Sequence, residues 1–181
     1  GHSHLNAMAQ ALDLTEVRCW AAYAPWGGKL AAAAQEKGLR GVACATAQEA
    51  AQGADVICTL TPSKEPILRS GWVKDGAHIN AIGACAPTAR ELDSDLVARS
   101  RVFCDNIESI LHVSGDFLIP LQEGRYGKEH LLGTVGDVLL GSCPGRGSRQ
   151  EISIFKAVGM AVEDIACAIY LYEQALAAPS N

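Results

Sequence analysis

The stretch Asp55-Val-Ile-Cys-Thr-Leu60, Thr61-Pro-Ser-Lys-Glu-Pro66 and Ala77-His-Ile-Asn-Ala-Ile-Gly83 reads as strand, loop and strand. The first run is apolar with little alternation. Such runs suit a parallel sheet covered on both faces. Upstream, residues 5–12 read as a helix with Leu5, Met8, Ala9 and Leu12 on one face. Residues 16–20 form a short strand. Residues 29–37 are an Ala-rich helix closed by Gly38. A strand follows over 42–45, and Thr46 begins a helix as N-cap, with Glu49 placed for a capping box and Gly53 at its end. Downstream, residues 93–100 are predicted as a helix and 101–105 as another strand. This alternation at βαβ spacing predicts an α/β fold, a doubly wound parallel sheet of Rossmann-like type with a long C-terminal helix.

The last third has a different texture. Residues 108–124 read as helix then loop, and 139–150 are Gly-rich around Pro144-Gly145-Arg146-Gly147. Residues 151–178 carry one long helical pattern, interrupted near Gly159. Its stripe of Ile165, Ala168, Ile169, Tyr172 and Leu176 is expected to pack as core. No internal repeat is visible.

Composition bounds the function. The 181 residues are 49% hydrophobic and 19% charged, which fits one compact domain, or one with an appendage, and excludes a disordered chain. Net charge is −5 with scattered basic residues, which disfavours a nucleic-acid partner. No apolar run approaches the ~18 residues of a membrane span, and no secretory signal pattern opens the sequence. The seven cysteines include no CxxC pair, so they read as small buried hydrophobes in a reducing, cytoplasmic setting, and no metal site is expected.

An open parallel sheet binds ligands beyond the carboxyl ends of its strands, so the loops there are where chemistry belongs. Gly1-His2-Ser3-His4-Leu5 reads either as the tail of a Gly-rich turn entering a helix or as a tag remnant. After the strand at 16–20 comes Ala21-Ala22-Tyr23-Ala24-Pro25-Trp26. It has neither an acid for a ribose hydroxyl nor an Arg for a 2′-phosphate. Tyr23 or Trp26 packs on an adenine, or is an ordinary surface aromatic. Thr61-Pro62-Ser63 and Asn80-Ala81-Ile82-Gly83-Ala84-Cys85 are short and polar or small, which lets backbone approach a ligand or simply makes turns.

Five segments carry a resemblance: Glu65-Pro-Ile-Leu68, Trp72-Val-Lys-Asp-Gly-Ala-His-Ile-Asn-Ala-Ile-Gly83, Arg90-Glu-Leu-Asp93, Ser114-Gly-Asp116 and Phe155-Lys-Ala-Val-Gly-Met-Ala-Val-Glu-Asp164. Together they resemble the ornithine cyclodeaminase/mu-crystallin family over essentially the whole chain, most closely its mu-crystallin branch of NAD(P)H-dependent ketimine reductases. Gly1-His2-Ser3-His4 matches the tail of the family's Gly-rich turn, which favours the native reading of Gly1 and His2. Family proteins are about twice as long. Their N-terminal half makes the dimer interface and supplies a Lys and an Arg for the substrate carboxylate.

The resemblance implies a dinucleotide-binding domain over 1–150, its first strand and Gly-rich loop preceding Gly1. It further implies a C-terminal helix over 151–181 that packs on the dimerisation and substrate domain. Cyclodeaminases carry a catalytic Asp just after the Asn-Ala-hydrophobic-Gly turn, and Cys85 stands there. A thiol is a poor substitute for a carboxylate base, which turns the expectation from cyclodeaminase to imine reductase. The mu-crystallin branch has a polar residue and an Arg where Ala21 and Ala22 stand, so NADPH and NADH both remain open.

By the same resemblance, Gly1 and His2 would lie by a pyrophosphate, and Ala22 and Tyr23 by the adenosine. Thr61, Ile82, Gly83 and Val158 would meet the cofactor's centre and nicotinamide, and Cys85 the substrate side. The implied partners are a small imino or amino acid substrate and a second copy of the chain. The alternatives are a cyclodeaminase or alanine dehydrogenase-like enzyme, and a non-catalytic binder or inactive fragment.

Overall fold

Every strand is four residues long and every strand pair is parallel. The computed structural model describes residues 1–177. Helix α1 (His2–Ala11) leads to β1 (Glu16–Cys19), α2 (Ala24–Glu36), β2 (Arg40–Ala43), α3 (Ala47–Ala51) and β3 (Val56–Thr59). Then come β4 (His78–Ala81), α4 (Ser94–Ala98), β5 (Arg101–Cys104), α5 (Ile107–Val113) and α6 (Gly115–Gln122). The chain closes with β6 (Leu131–Thr134), α7 (Val135–Leu139), β7 (Ser153–Lys156) and α8 (Ala161–Ala177). One sheet is β1-β2 and the other runs β3-β4-β7-β5-β6, so the last strand in sequence lies at the centre of the larger sheet. This is a Rossmann-like α/β architecture, as expected.

Local chemistry sets the helix ends. Pro25 occupies the first turn of α2, where its missing N–H removes no bond, so the helix starts at Ala24 rather than at 29. Thr46 Oγ1 accepts from Glu49 N at 3.1 Å, but the Glu49 carboxylate reaches Ala45 N at 2.9 Å, one residue short of a true capping box. The full reciprocal box forms instead at α7, between Thr134 and Asp137. Asp93 and Asn106 cap α4 and α5.

One face of the larger sheet carries the core. Ile79, Val102 and Ile154 are almost fully buried against Leu96, Ile110 and Phe117. Each such side chain contributes about 1.5–3 kcal/mol on burial. The two-residue period sends His78, Asn80, Ser153 and Phe155 to the opposite face. There, with Phe103 and Arg146 among others, they line a groove of about 310 Å³. Helix α2 sits so close to β2 that a Cβ on Gly41 would lie 1.9 Å from Ala31 O.

Two expectations for the last third are corrected. The helical pattern over 151–178 splits, because its first part is β7, and α8 begins only at Ala161. Strand Ser153–Lys156 therefore belongs with the sheet rather than with the C-terminal helix. The stripe expected in the core is exposed, with Ile165 at 58% and Leu176 at 68%. Residue 178, the end of the predicted helix, lies outside the described residues. Strand β6 and helix α7 were not anticipated from the sequence.

Candidate functional site

The loops that leave β3, β4 and β7 meet at the carboxyl edge of the larger sheet, because those strands are neighbours. Ile82 N and Gly83 N donate to Thr59 O at 3.0 and 3.2 Å, Ala84 N donates to Thr61 O at 3.0 Å, and Ala157 N donates to Ala81 O at 3.2 Å. Thr61, Ile82, Gly83 and Val158 thus gather at one edge, each half-buried. The approach is tight: a Cβ on Gly83 would fall 2.1 Å from Thr61 O. The next residue, Ala84, holds a left-handed φ of 55°, a conformation that costs an alanine on the order of 1 kcal/mol.

Behind this edge is a buried ionic network. Glu91, with no exposed surface, accepts from Thr61 N at 2.5 Å through Oε1 and from Gly83 N at 3.0 Å through Oε2. Asp116 Oδ1 accepts from Glu91 N at 2.7 Å and Leu92 N at 2.9 Å. Its Oδ2 faces Lys156 Nζ at 3.0 Å, as an ion pair without hydrogen-bond alignment. Lys156, the last residue of β7, also donates to Gly83 O. A third carboxylate, Asp105, follows β5. Its Oδ2 accepts from Val158 N at 2.8 Å and Gly159 N at 2.7 Å, and its Oδ1 from Asn106 N at 2.8 Å. Buried charge is tolerable only when paired and hydrogen-bonded in this way.

Of the other expected site residues, Cys85 adjoins this edge, while Gly1, His2, Ala22 and Tyr23 belong to α1 and the smaller sheet's loop. Cys85 is exposed, and its thiol donates to Ile82 O at 3.5 Å. Gly1 and His2 are exposed at the start of α1, where Gly1 O accepts from Leu5 N at 2.9 Å. Ala22 and Tyr23 follow β1 in the smaller sheet, with no strand pairing to β3 among the described residues. Tyr23 meets Trp26 edge-on at 5.7 Å, and both rings are mostly exposed.

Burial tunes several other groups. It pushes the Cys104 thiol up to about 12, helped by Asp105 and Asp137, so that thiol is inert. Burial also raises Cys19, Cys44 and Cys58. On the opposite sheet face burial lowers His78, whose Nδ1 lies 2.8 Å from Ser153 Oγ. Among the described residues no three His, Cys, Asp or Glu side chains gather as a metal ion requires.

Glu91, Asp105, Asp116 and Lys156 are not among the site residues expected from the sequence. A signal was present: Lys156 directly follows the apolar Ile-Ser-Ile-Phe, and Asp105 follows Val-Phe-Cys. A charge at the end of a buried strand needs a partner, and here the partners are loop amides and each other.

An open parallel sheet whose carboxyl-edge loops are drawn together by buried carboxylates defines a Rossmann-like domain in which the loops of β3, β4 and β7 share one edge. The chain belongs to the ornithine cyclodeaminase/mu-crystallin family, whose model matches residues 1–178. It is 34% identical to alanine dehydrogenase of Archaeoglobus fulgidus over 172 residues, 95% of this chain and 52% of that one. It is 37% identical to ketimine reductase mu-crystallin of Mus musculus over 172 residues, 95% of this chain and 51% of the other. The structure of Thermococcus litoralis Delta(1)-pyrroline-2-carboxylate reductase in complex with NADH and L-proline superposes with a TM-score of 0.92 at 31% identity. That match covers 96% of this chain and 54% of the other. The chain thus spans about half the length of these relatives.

Proposed function

We propose that the protein is an NAD(P)H-dependent reductase of cyclic ketimine acids, of the Δ1-pyrroline-2-carboxylate or Δ1-piperideine-2-carboxylate type. The observation that carries this reading is Cys85. The cyclodeaminases that the sequence resembles carry a proton-moving Asp just beyond the β4 turn, and in this chain an exposed thiol stands there instead. Reduction of a preformed imine needs positioning more than a base. Likeness to the ketimine reductase and to the pyrroline-2-carboxylate reductase supports the same choice.

The residues at the sheet edge fit a dinucleotide. Nothing lies within 4 Å of an added Cβ on Gly159, so backbone there is open to a ligand. Helix α1 has no acidic residue in its first turn and no side-chain cap, which leaves amides for a pyrophosphate beside Gly1 and His2. Thr61, Ile82, Gly83 and Val158 would hold the centre and nicotinamide, Ala22 and Tyr23 the adenosine, and Cys85 would line the substrate side. When bound, the reduced nicotinamide supplies the hydride. The chain's part is to orient cofactor and imine and to exclude water. Neither an acid nor an Arg follows β1, so the reading includes NADH and NADPH alike.

We further infer the division of the whole protein. A strand and Gly-rich loop preceding Gly1 would join the two sheets, since among the described residues β1 pairs only with β2 and β3 only with β4. The exposed stripe of α8 would pack on an N-terminal half that carries the dimer interface and substrate groups.

The test is oxidation of NADH and NADPH by the full-length protein with a panel of cyclic imines, run beside ammonia release from ornithine and NAD reduction with alanine. Turnover of the imines is expected. Ornithine deamination without imine reduction would overturn the reading. Identity to the Archaeoglobus fulgidus alanine dehydrogenase favours an amino-acid dehydrogenase as second reading, which predicts alanine turnover with NAD.

A further inference from the structure

We propose that Glu91 is a positioning residue, whose single carboxylate sets the spacing of the two loops against which the nicotinamide half of the cofactor would lie. The inference rests on the cofactor reading above and adds a role for a group that touches no ligand. Three observations carry it.

First, the two oxygens of Glu91 divide between the two loops, one taking Thr61 N at 2.5 Å and the other Gly83 N at 3.0 Å. A carboxylate is acceptor-only, and both partners here are donors, so the match is complete. Secondly, the contact leaves no slack. A Cβ on Gly83 would stand 2.6 Å from Glu91 Oε2 and 2.1 Å from Thr61 O, so the loops touch through backbone.

Thirdly, Glu91 is itself held by partners distant in sequence. Asp116 accepts from its amide, Lys156 pairs with Asp116, and Lys156 returns to the carbonyl of Gly83. The circuit therefore closes on the loop that it positions, with Glu91, Asp116 and Lys156 all buried. Glu91 O accepts from Ile67 N and Leu68 N at 2.8 and 2.9 Å, which ties the far end of the β3 loop to the same residue.

Glu91→Gln presents an NH2 to one of the two amide donors, so one loop loses its acceptor. Glu91→Asp keeps both oxygens on a shorter arm that cannot reach both amides. The experiment compares NADH with ADP-ribose, which lacks the nicotinamide, by calorimetry on the full-length protein. Amide hydrogen exchange of Thr61 and Gly83 is read without cofactor. For Glu91→Gln the expected result is an NADH Kd weakened by about tenfold or more, as for a lost charge-assisted bond, with ADP-ribose affinity changed by less than about twofold. Faster exchange at Thr61 and Gly83 should accompany it. Glu91→Asp should show the same pattern more weakly, and it carries the test if the Gln protein does not fold. Equal losses for NADH and ADP-ribose, or unchanged NADH affinity, overturn the proposal. A wild-type protein that binds ADP-ribose and NADH equally tightly also overturns it. One that binds neither overturns the cofactor reading as well, which distinguishes the two failures.

Discussion

Asp105 holds the amide of Val158 across 53 residues of sequence, its Oδ2 accepting from Val158 N at 2.8 Å. The same oxygen takes Gly159 N and the other takes Asn106 N, so the loop leaving β7 is fastened to the end of β5. Asp105→Asn turns one acceptor into a donor facing an N–H. The expected cost is about 1–3 kcal/mol, read by urea denaturation. An unchanged midpoint would show that the loop does not depend on this carboxylate.

Lys156→Met strands the Asp116 carboxylate in the interior, where its side chain is only 3% exposed. Breaking such a pair costs about 3–5 kcal/mol. Asp116→Asn added to Lys156→Met should recover part of the loss, because an amide oxygen still accepts from Glu91 N and Leu92 N. A double-mutant cycle checks this, and strictly additive costs would show the pair to be uncoupled.

Two glycines should respond with opposite signs. Gly28 lies inside α2 with nothing within 4 Å of an added Cβ, so Gly28→Ala should stabilise by about 0.5–1 kcal/mol. Gly41→Ala drives a methyl into Ala31 O at 1.9 Å and should destabilise by about 1–3 kcal/mol. Thermal melting of both variants decides the matter, and a stable Gly41→Ala would mean that α2 and β2 separate easily.

Stability should fall on mild acidification. Burial lowers the His78 pKa in the fold, with Arg146 adding to it and a hydrogen bond to Asn80 opposing it. The unfolded chain therefore takes up this proton first, at about pH 6.5, and the fold loses stability as pH drops through and below that value. The contribution is fully present above it. Denaturation midpoints at about pH 7.5 and 5.5 should differ, and His78→Asn should flatten the difference. Burial lowers His4 in the same direction, so some slope should remain in that variant. A slope unaltered by His78→Asn would place its source elsewhere.

If α8 packs on an N-terminal half, Ile165→Glu with Ile169→Glu should destabilise the full-length protein by about 1.5–3 kcal/mol for each buried isoleucine. An unchanged melting temperature would leave the stripe facing solvent.

The elements that were legible before the structure share one property: their signals are local. The Asp55 to Leu60 run, the Ala77 to Gly83 run and the Thr46 cap each announce themselves within a few residues. Strand β7 does not. Its four residues lie just ahead of a strongly helical stretch, and a short apolar run cannot be told from helix by period alone. Thr61, Ile82 and Gly83 were legible as loop ends. The charges that organise them were not, since Glu91 reads as an ordinary surface acid until its partners are known.

What the sequence by itself determined is the alternation of strands and helices, the parallel sheet that follows, and the loops at the carboxyl ends of its strands. Those follow from hydrophobic pattern and turn chemistry, which act over short distances. Only the tertiary structure decided that β7 enters the middle of the sheet and that Lys156 reaches Gly83, 73 residues away. The physical reason is desolvation. A buried charge must find a partner wherever the fold brings one, and that choice is made across the sheet rather than along the chain.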